Sequence, residues 1–261
     1  MDHTALERPT APASRSSLIK RLAPLAVLLA AVAAFFALGL HHYLSFEVLR
    51  EHREQLLELV ARHPLLAPLA FMALYAAVIA LSVPGGAVLT IAGGFLFGVV
   101  AGSFYVVVAA TLGATIVFLI ARTALGDLLR AKAGPRIRRM EEGFRENAFS
   151  YLLVLRLIPI FPFWLVNIVP AFLGVAVGTY VLGTFLGIIP GSLVFASVGN
   201  GLGAVFDAGE TPDLGIIFEP AIIGPIIGLA LLALLPIAYR KLKARTSKNS
   251  TGTCRGTMSR K

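Results

Sequence analysis

The chain alternates between long apolar runs and short charged stretches. Between residues 65 and 121 there is no Asp, Glu, Lys or Arg, and between 149 and 206 the only one is Arg156. Runs of that length need lipid, or one another, as their solvent. Two further apolar runs, 22–40 and 221–239, have spanning length and flank the central pair. The pattern predicts an all-α membrane protein with an N-terminal and a C-terminal anchor helix.

The first run follows a polar segment, 1–21, that ends in Lys20 and Arg21. This resembles a signal peptide, but the apolar part exceeds the usual ~7–15 residue core. His41 and His42 also stand where a small-residue cleavage site belongs. An uncleaved transmembrane helix over 22–40 is therefore expected. In 43–63, Leu44, Val48, Leu49, Leu56, Leu59 and Val60 recur at helical spacing, with Glu47, Arg50, Glu51, Arg53, Glu54 and Arg62 on the other faces. That predicts an amphipathic helix at the membrane interface or on the protein. A solvated linker helix with Glu58 and Arg62 as an i,i+4 pair is the alternative.

The two central blocks share an internal grammar. In the first, 65–83 is broken by Pro84, Gly85 and Gly86, continues through a glycine-rich piece, and ends in a long apolar stretch to 121. In the second, 149–161 carries Arg156 and is broken by Pro159 and Pro162 before a second long stretch to 199. The 149–161 arm is about 20 Å long as a helix, against a hydrocarbon core of about 30 Å. It is too short to cross. A re-entrant hairpin (149–172) followed by one span (175–199) is expected. The first arm is long enough to span, but its matching break favours a hairpin over 65–98 and a span over 102–121. Together the blocks predict an inverted repeat of two re-entrant hairpin plus transmembrane helix units.

Composition sharpens the membrane reading: 57% of residues are apolar and 14% charged, with a net charge of +9. The bases lie beside the apolar segments, in 1–21, the 122–148 loop and the 240–261 tail, whereas 200–220 holds Asp207, Glu210, Asp213, Glu219 and no base. This is the bias of membrane topology, with both termini and the central loop cytoplasmic, and not of a nucleic-acid surface. Each block then crosses an odd number of times. The single Cys254 lies in the tail and forms neither an intrachain disulfide nor a thiolate metal site.

Arg156 is the sharpest candidate, because a guanidinium at membrane depth costs several kcal/mol unless it is paired or reaches water. It binds an anion, or it snorkels back to the cytoplasmic surface. In the functional reading, the starts of the broken half-helices (Pro84, Gly85, Gly86 in one hairpin; Pro159, Pro162 in the other) expose backbone donors near its charge, which suits a phosphate or carboxylate. Asn167 binds the same headgroup, or it bonds a carbonyl freed by the break. Gly94 and Gly98 have the small-xxx-small spacing of close helix packing. All five histidines precede residue 64, and neither block holds a carboxylate. Ser-His hydrolase, aspartyl protease and zinc peptidase chemistry therefore lack their groups, as do nucleotide-binding glycine motifs. No enzyme activity, metal or cofactor is expected.

The run from Arg156 through Pro159, Phe161 and Pro162, then Val166, Asn167, and later Pro190 and Gly191, resembles the signature of the DedA superfamily. More narrowly it is similar to the VTT-domain branch, formerly called SNARE-associated Golgi proteins and including Tvp-type membrane proteins. Pro84, Gly93, Gly94, Phe97, Gly98, Gly102, Gly113 and Phe118 through Arg122 match the same branch. The resemblance spans about 65–200. It implies two re-entrant helices in an inverted repeat and a role in lipid translocation or transport of lipid-carrier phosphates, with Arg156 and Asn167 as the hairpin arginine and asparagine. Two positions depart from DedA proper: Gly86 replaces a common acidic residue, and Phe163 a second arginine. The proton coupling proposed for that family loses its carrier, so an uncoupled facilitator is expected.

The resulting expectation is a transporter or lipid flippase/scramblase of the cell (inner) membrane, acting on an anionic lipid or small anionic solute. A non-transporting scaffold for envelope homeostasis, using a basic surface that includes Arg136, Arg138 and Arg139, is the alternative. Expected partners are membrane lipids and an anionic headgroup or solute, not nucleic acid; a homo-oligomer is left open.

Overall fold

The computed structural model describes residues 15–83, 85–132, 147–158 and 161–207, with position 144 and scattered positions between 220 and 234. Pro84, Pro159, the 1–14 segment, residues 133–143 of the basic loop with Arg136, Arg138 and Arg139, most of the 221–239 run, and the whole tail lie outside the described residues.

Among the described residues all regular structure is helical. Helix α1 (Arg15–Ala37) carries Pro24 and is followed by a 3-10 turn, Leu40–Tyr43. The amphipathic segment is two helices, α2 (Phe46–Glu51) and α3 (Arg53–Arg62), where one was expected over 43–63. The division falls at His52, whose backbone N–H and ring both return to the Val48 carbonyl. The Ser45 hydroxyl caps α2 by accepting from the Val48 N–H at 3.4 Å, and Glu58 and Arg62 pair on the exposed face of α3.

The first block contains α4 (Leu66–Ala80), α5 (Gly86–Phe97) and the 34-residue α6 (Val99–Lys132). The second contains α7 (Ala148–Leu157), α8 (Phe163–Phe172) and the 24-residue α9 (Val177–Asn200), followed by α10 (Leu202–Asp207). Among the described residues, α6 (over Val99–Ala124) and α9 are the two helices long and apolar enough to cross a bilayer. The 15 residues of α4 and the 12 of α5 reach only ~22 and ~18 Å. Pro159 explains the end of α7: the residue before a proline is driven out of the helical region, and Ile158 is extended at φ −88°, ψ 110°. Between α4 and α5 the chain reverses through Ser82 at φ 53° and Gly85 at φ 146°. The second value is one that a side chain rarely tolerates.

Helices α6 and α9 pack on each other at the centre. Each short first arm lies on the long helix of its own block, α4 on α6 and α7 on α9, while each second arm reaches the long helix of the other block, α5 on α9 and α8 on α6. Phe71, Tyr75, Val78, Ile79, Val106, Phe118, Leu152 and Tyr180 form the main core. Helix α5 meets α9 backbone to backbone: a Cβ on Gly94 would overlap Ala196, and one on Gly199 would overlap the Ile91 carbonyl. Of the Gly94 and Gly98 pair only Gly94 makes a close approach; Gly98 has open space and turns the chain at φ 79°.

Candidate functional site: a buried arginine cluster and a recess beside it

Arg156 sits in the last turn of α7, and its side chain runs inward. Its stem passes over Gly187 of α9, where an added Cβ would lie 2.6 Å from the arginine Cβ. That clearance lets the Nη2 group reach three oxygens: Asn167 Oδ1 at 2.8 Å, the Tyr180 hydroxyl at 2.8 Å and Thr184 Oγ1 at 3.1 Å. Asn167 is on α8, and Tyr180 and Thr184 are one turn apart on α9. Asn167 and Tyr180 are fully buried and Thr184 nearly so. The side chain thus runs in among α8 and α9.

Donor and acceptor logic orients the cluster. Guanidinium nitrogens only donate, so the Asn167 atom facing Arg156 is its oxygen. The Tyr180 hydroxyl accepts from Arg156, and its one proton faces Asn167 Oδ1 at 2.9 Å or the Ala114 carbonyl of α6 at 3.3 Å. The Tyr180 ring stacks on Phe118 of α6 with centroids 4.2 Å apart. The Asn167 Nδ2 group is buried and has no hydrogen-bond partner among the described residues. An unmet buried donor costs about 1–3 kcal/mol, and here it stands beside a cation. The chemistry that satisfies both is an anionic oxygen.

A cavity of about 570 Å³ opens nearby, where the α4–α5 turn faces the central helices. Ser82, Gly85 and Gly86 line it on one side, and Ala110 of α6 with Ile188 and Ser192 of α9 on the other. Thr90 donates to the Gly86 carbonyl at 2.7 Å, and the Tyr75 hydroxyl lies 3.0 Å from Thr90 Oγ1. These contacts hold the first turn of α5 in shape.

Of the residues singled out from the sequence, Arg156 and Asn167 meet directly, and Gly85 and Gly86 border the cavity. Pro162 is exposed at the start of α8. Pro84 and Pro159 lie outside the described residues. Tyr180 and Thr184 had not been singled out, and Ser192 only as a hydrolase nucleophile that lacks a histidine base. A readable signal existed: Tyr180, Gly183, Thr184 and Gly187 form a small and polar stripe at helical spacing on one face of a span.

Residues 83–201, which contain the arginine cluster and the α5, α6 and α9 walls of the cavity, match the VTT domain family model. That stretch is a VTT domain. The chain is similar to curated transmembrane proteins of eukaryotes. Transmembrane protein 41 homolog of Dictyostelium discoideum is 31% identical over 177 residues, 66% of this chain and 51% of that protein. Human Transmembrane protein 41B is 32% identical over 124 residues, 48% of this chain and 40% of that protein, and the mouse protein is 31% identical over the same shares. The chain therefore spans about half, or less, of the length of these relatives. No solved structure matches it.

Proposed function

We propose that this VTT-domain protein is an uncoupled facilitator that moves an anionic lipid headgroup, or a small anionic solute, across the bilayer past Arg156. The observation that carries this reading is the convergence of the Arg156 guanidinium with the buried Nδ2 of Asn167, which has no partner among the described residues. The oxygens of Asn167, Tyr180 and Thr184 orient the guanidinium, and being neutral they leave its charge in place. A headgroup phosphate entering there meets both a cation and an open donor. Neither block holds a carboxylate to carry a coupling proton.

The same reading takes α4–α5 and α7–α8 as two re-entrant hairpins of an inverted repeat. Their reach supports it, being below the ~30 Å core. So does the exchanged packing, in which each second arm lies against the other block's long helix. The charge bias of the loops supports cytoplasmic termini in a cell membrane.

The test is leaflet exchange in liposomes containing a fluorescent phospholipid that is reducible from outside. Wild type is expected to expose the inner-leaflet pool to the reductant, and Arg156→Ala to slow this at least tenfold. If wild-type vesicles behave as empty ones, the transport reading fails.

A further inference from the structure

We infer that the cavity at the start of α5 is a second anion subsite, which takes a phosphoryl group on neutral donors alone: the first-turn backbone N–H groups of α5 and the Ser192 hydroxyl.

Two independent features meet in this cavity. The first is the beginning of a 12-residue helix whose N-cap, Gly85, has no side chain to cap it. The Leu89 N–H reaches the Gly85 carbonyl at 3.0 Å and begins the helical bonding, which leaves the N–H groups of Gly86 and Ala87, both at the cavity wall, without a helix carbonyl one turn back. Such an end carries the partial positive charge of the helix and unmet donors. The second feature is Ser192 on α9. It is only 7% exposed and lines the same cavity from the opposite wall; its hydroxyl has no hydrogen bond among the described residues, while its backbone carbonyl accepts from the Ser103 hydroxyl at 3.5 Å. A serine on a helix ordinarily returns its proton to the carbonyl one turn back, as Ser197 does to Leu193 at 2.8 Å. Ser192 instead presents its hydroxyl to the cavity.

Among the described residues the lining contains no carboxylate to repel an anion and no base to hold it by charge. The volume, about 570 Å³, admits a phosphoryl group with the glycerol portion of a lipid. The position also fits a relay, because Ser192 and Ile188 continue along α9 from Thr184 and Gly187, the residues that hold Arg156. A group leaving the arginine finds its next donors one to two turns further along the same helix. The subsite is a statement about binding and stands whether or not the protein transports.

The experiment is calorimetric titration of the full chain in detergent with two probes, inorganic phosphate and dihexanoyl phosphatidic acid. Saturable binding of the lipid alone identifies a headgroup, and equal binding of both identifies the free anion; either supports the subsite provided the variants respond. Ser192→Ala is expected to weaken binding about five- to tenfold. Ser192→Thr is expected to restore most of it. Ala87→Phe, which fills the cavity from a half-buried position, is expected to abolish it. Melting temperatures monitor folding, and if Ala87→Phe is unstable the two serine variants decide. Absence of saturable binding to wild type overturns the inference, as does a Ser192→Ala titration identical to wild type. Binding that is lost in Arg156→Gln yet untouched in Ser192→Ala assigns the anion to the arginine cluster; it removes this subsite and leaves the transport proposal intact.

Discussion

Gly187 and Arg156 are packed so closely that the arginine stem occupies the volume a side chain at 187 would need, with Arg156 Cβ 2.6 Å and Cγ 3.1 Å from an added Cβ. The position of the guanidinium among Asn167, Tyr180 and Thr184 depends on that absent methyl. Gly187→Ala is expected to push Arg156 off its three acceptors at a cost of about 1–3 kcal/mol, the usual range for overpacking. A lowered melting temperature together with slowed leaflet exchange is the expected pair of readings. An unchanged melting temperature would contradict the packing.

Asn167 separates structural support from anion binding. Asn167→Asp supplies a carboxylate to Arg156 and removes the open Nδ2 donor, so the folded state should be at least as stable as wild type while anion transfer is lost. Asn167→Leu deletes an oxygen that Arg156 uses and should destabilise by about 1–3 kcal/mol. Thermal unfolding and liposome exchange on both variants check this, and full exchange by Asn167→Asp is the outcome that defeats the proposed role.

Tyr180→Phe removes only a hydroxyl. The stack on Phe118 remains, while Arg156 loses one acceptor and the hydroxyl's own donation, to Asn167 Oδ1 or the Ala114 carbonyl, is lost. The expected loss of stability is about 1–2 kcal/mol, since the hydroxyl bonds to a charged group. It should be read by thermal unfolding of the variant in the same detergent as wild type.

The glycines of α5 and α9 should differ sharply among themselves. Gly199→Ala places a methyl on the Ile91 carbonyl and Gly94→Ala places one on the Ala196 backbone, and neither backbone has a rotamer with which to yield. Both should fail to give a monodisperse protein by size-exclusion chromatography. Gly178→Ala and Gly191→Ala, with nothing within 4 Å, should elute as wild type.

The hairpin topology has its own measurement. With Cys254, the sole cysteine, replaced by alanine, single cysteines at 65 and 98, and at 148 and 173, are labelled from either side of sealed vesicles. Both members of a pair should react from one side only. Opposite-side reaction within a pair would remove the re-entrant reading.

The helical class, the approximate helix positions and the prominence of Arg156 were legible in the sequence because each rests on local physics. An apolar run without charge has to be buried or in lipid; a proline ends the helix before it; a lone arginine in such a run demands partners. The division at His52 was not legible, since Leu49 and Leu56 keep a helical spacing through it and only the turn back to Val48 breaks the continuity. Asn167 could be noticed but not assigned, because its spacing from Arg156 spans a break whose geometry no local rule supplies.

By itself the sequence determined that this is a helical membrane protein with two proline-broken apolar blocks, and that the one charge within them is Arg156, with no carboxylate in either block. Only the tertiary structure decided which oxygens receive that arginine, that Asn167 keeps an open donor beside it, and that Ser192 faces the start of α5. Tyr180, Thr184 and Ser192 lie 24 to 36 residues from Arg156 on a different helix. Hydrophobic patterning specifies which face of each helix is buried. The meeting of particular side chains is set by how closely the backbones approach, and here that depends on glycines whose partners are distant in the chain.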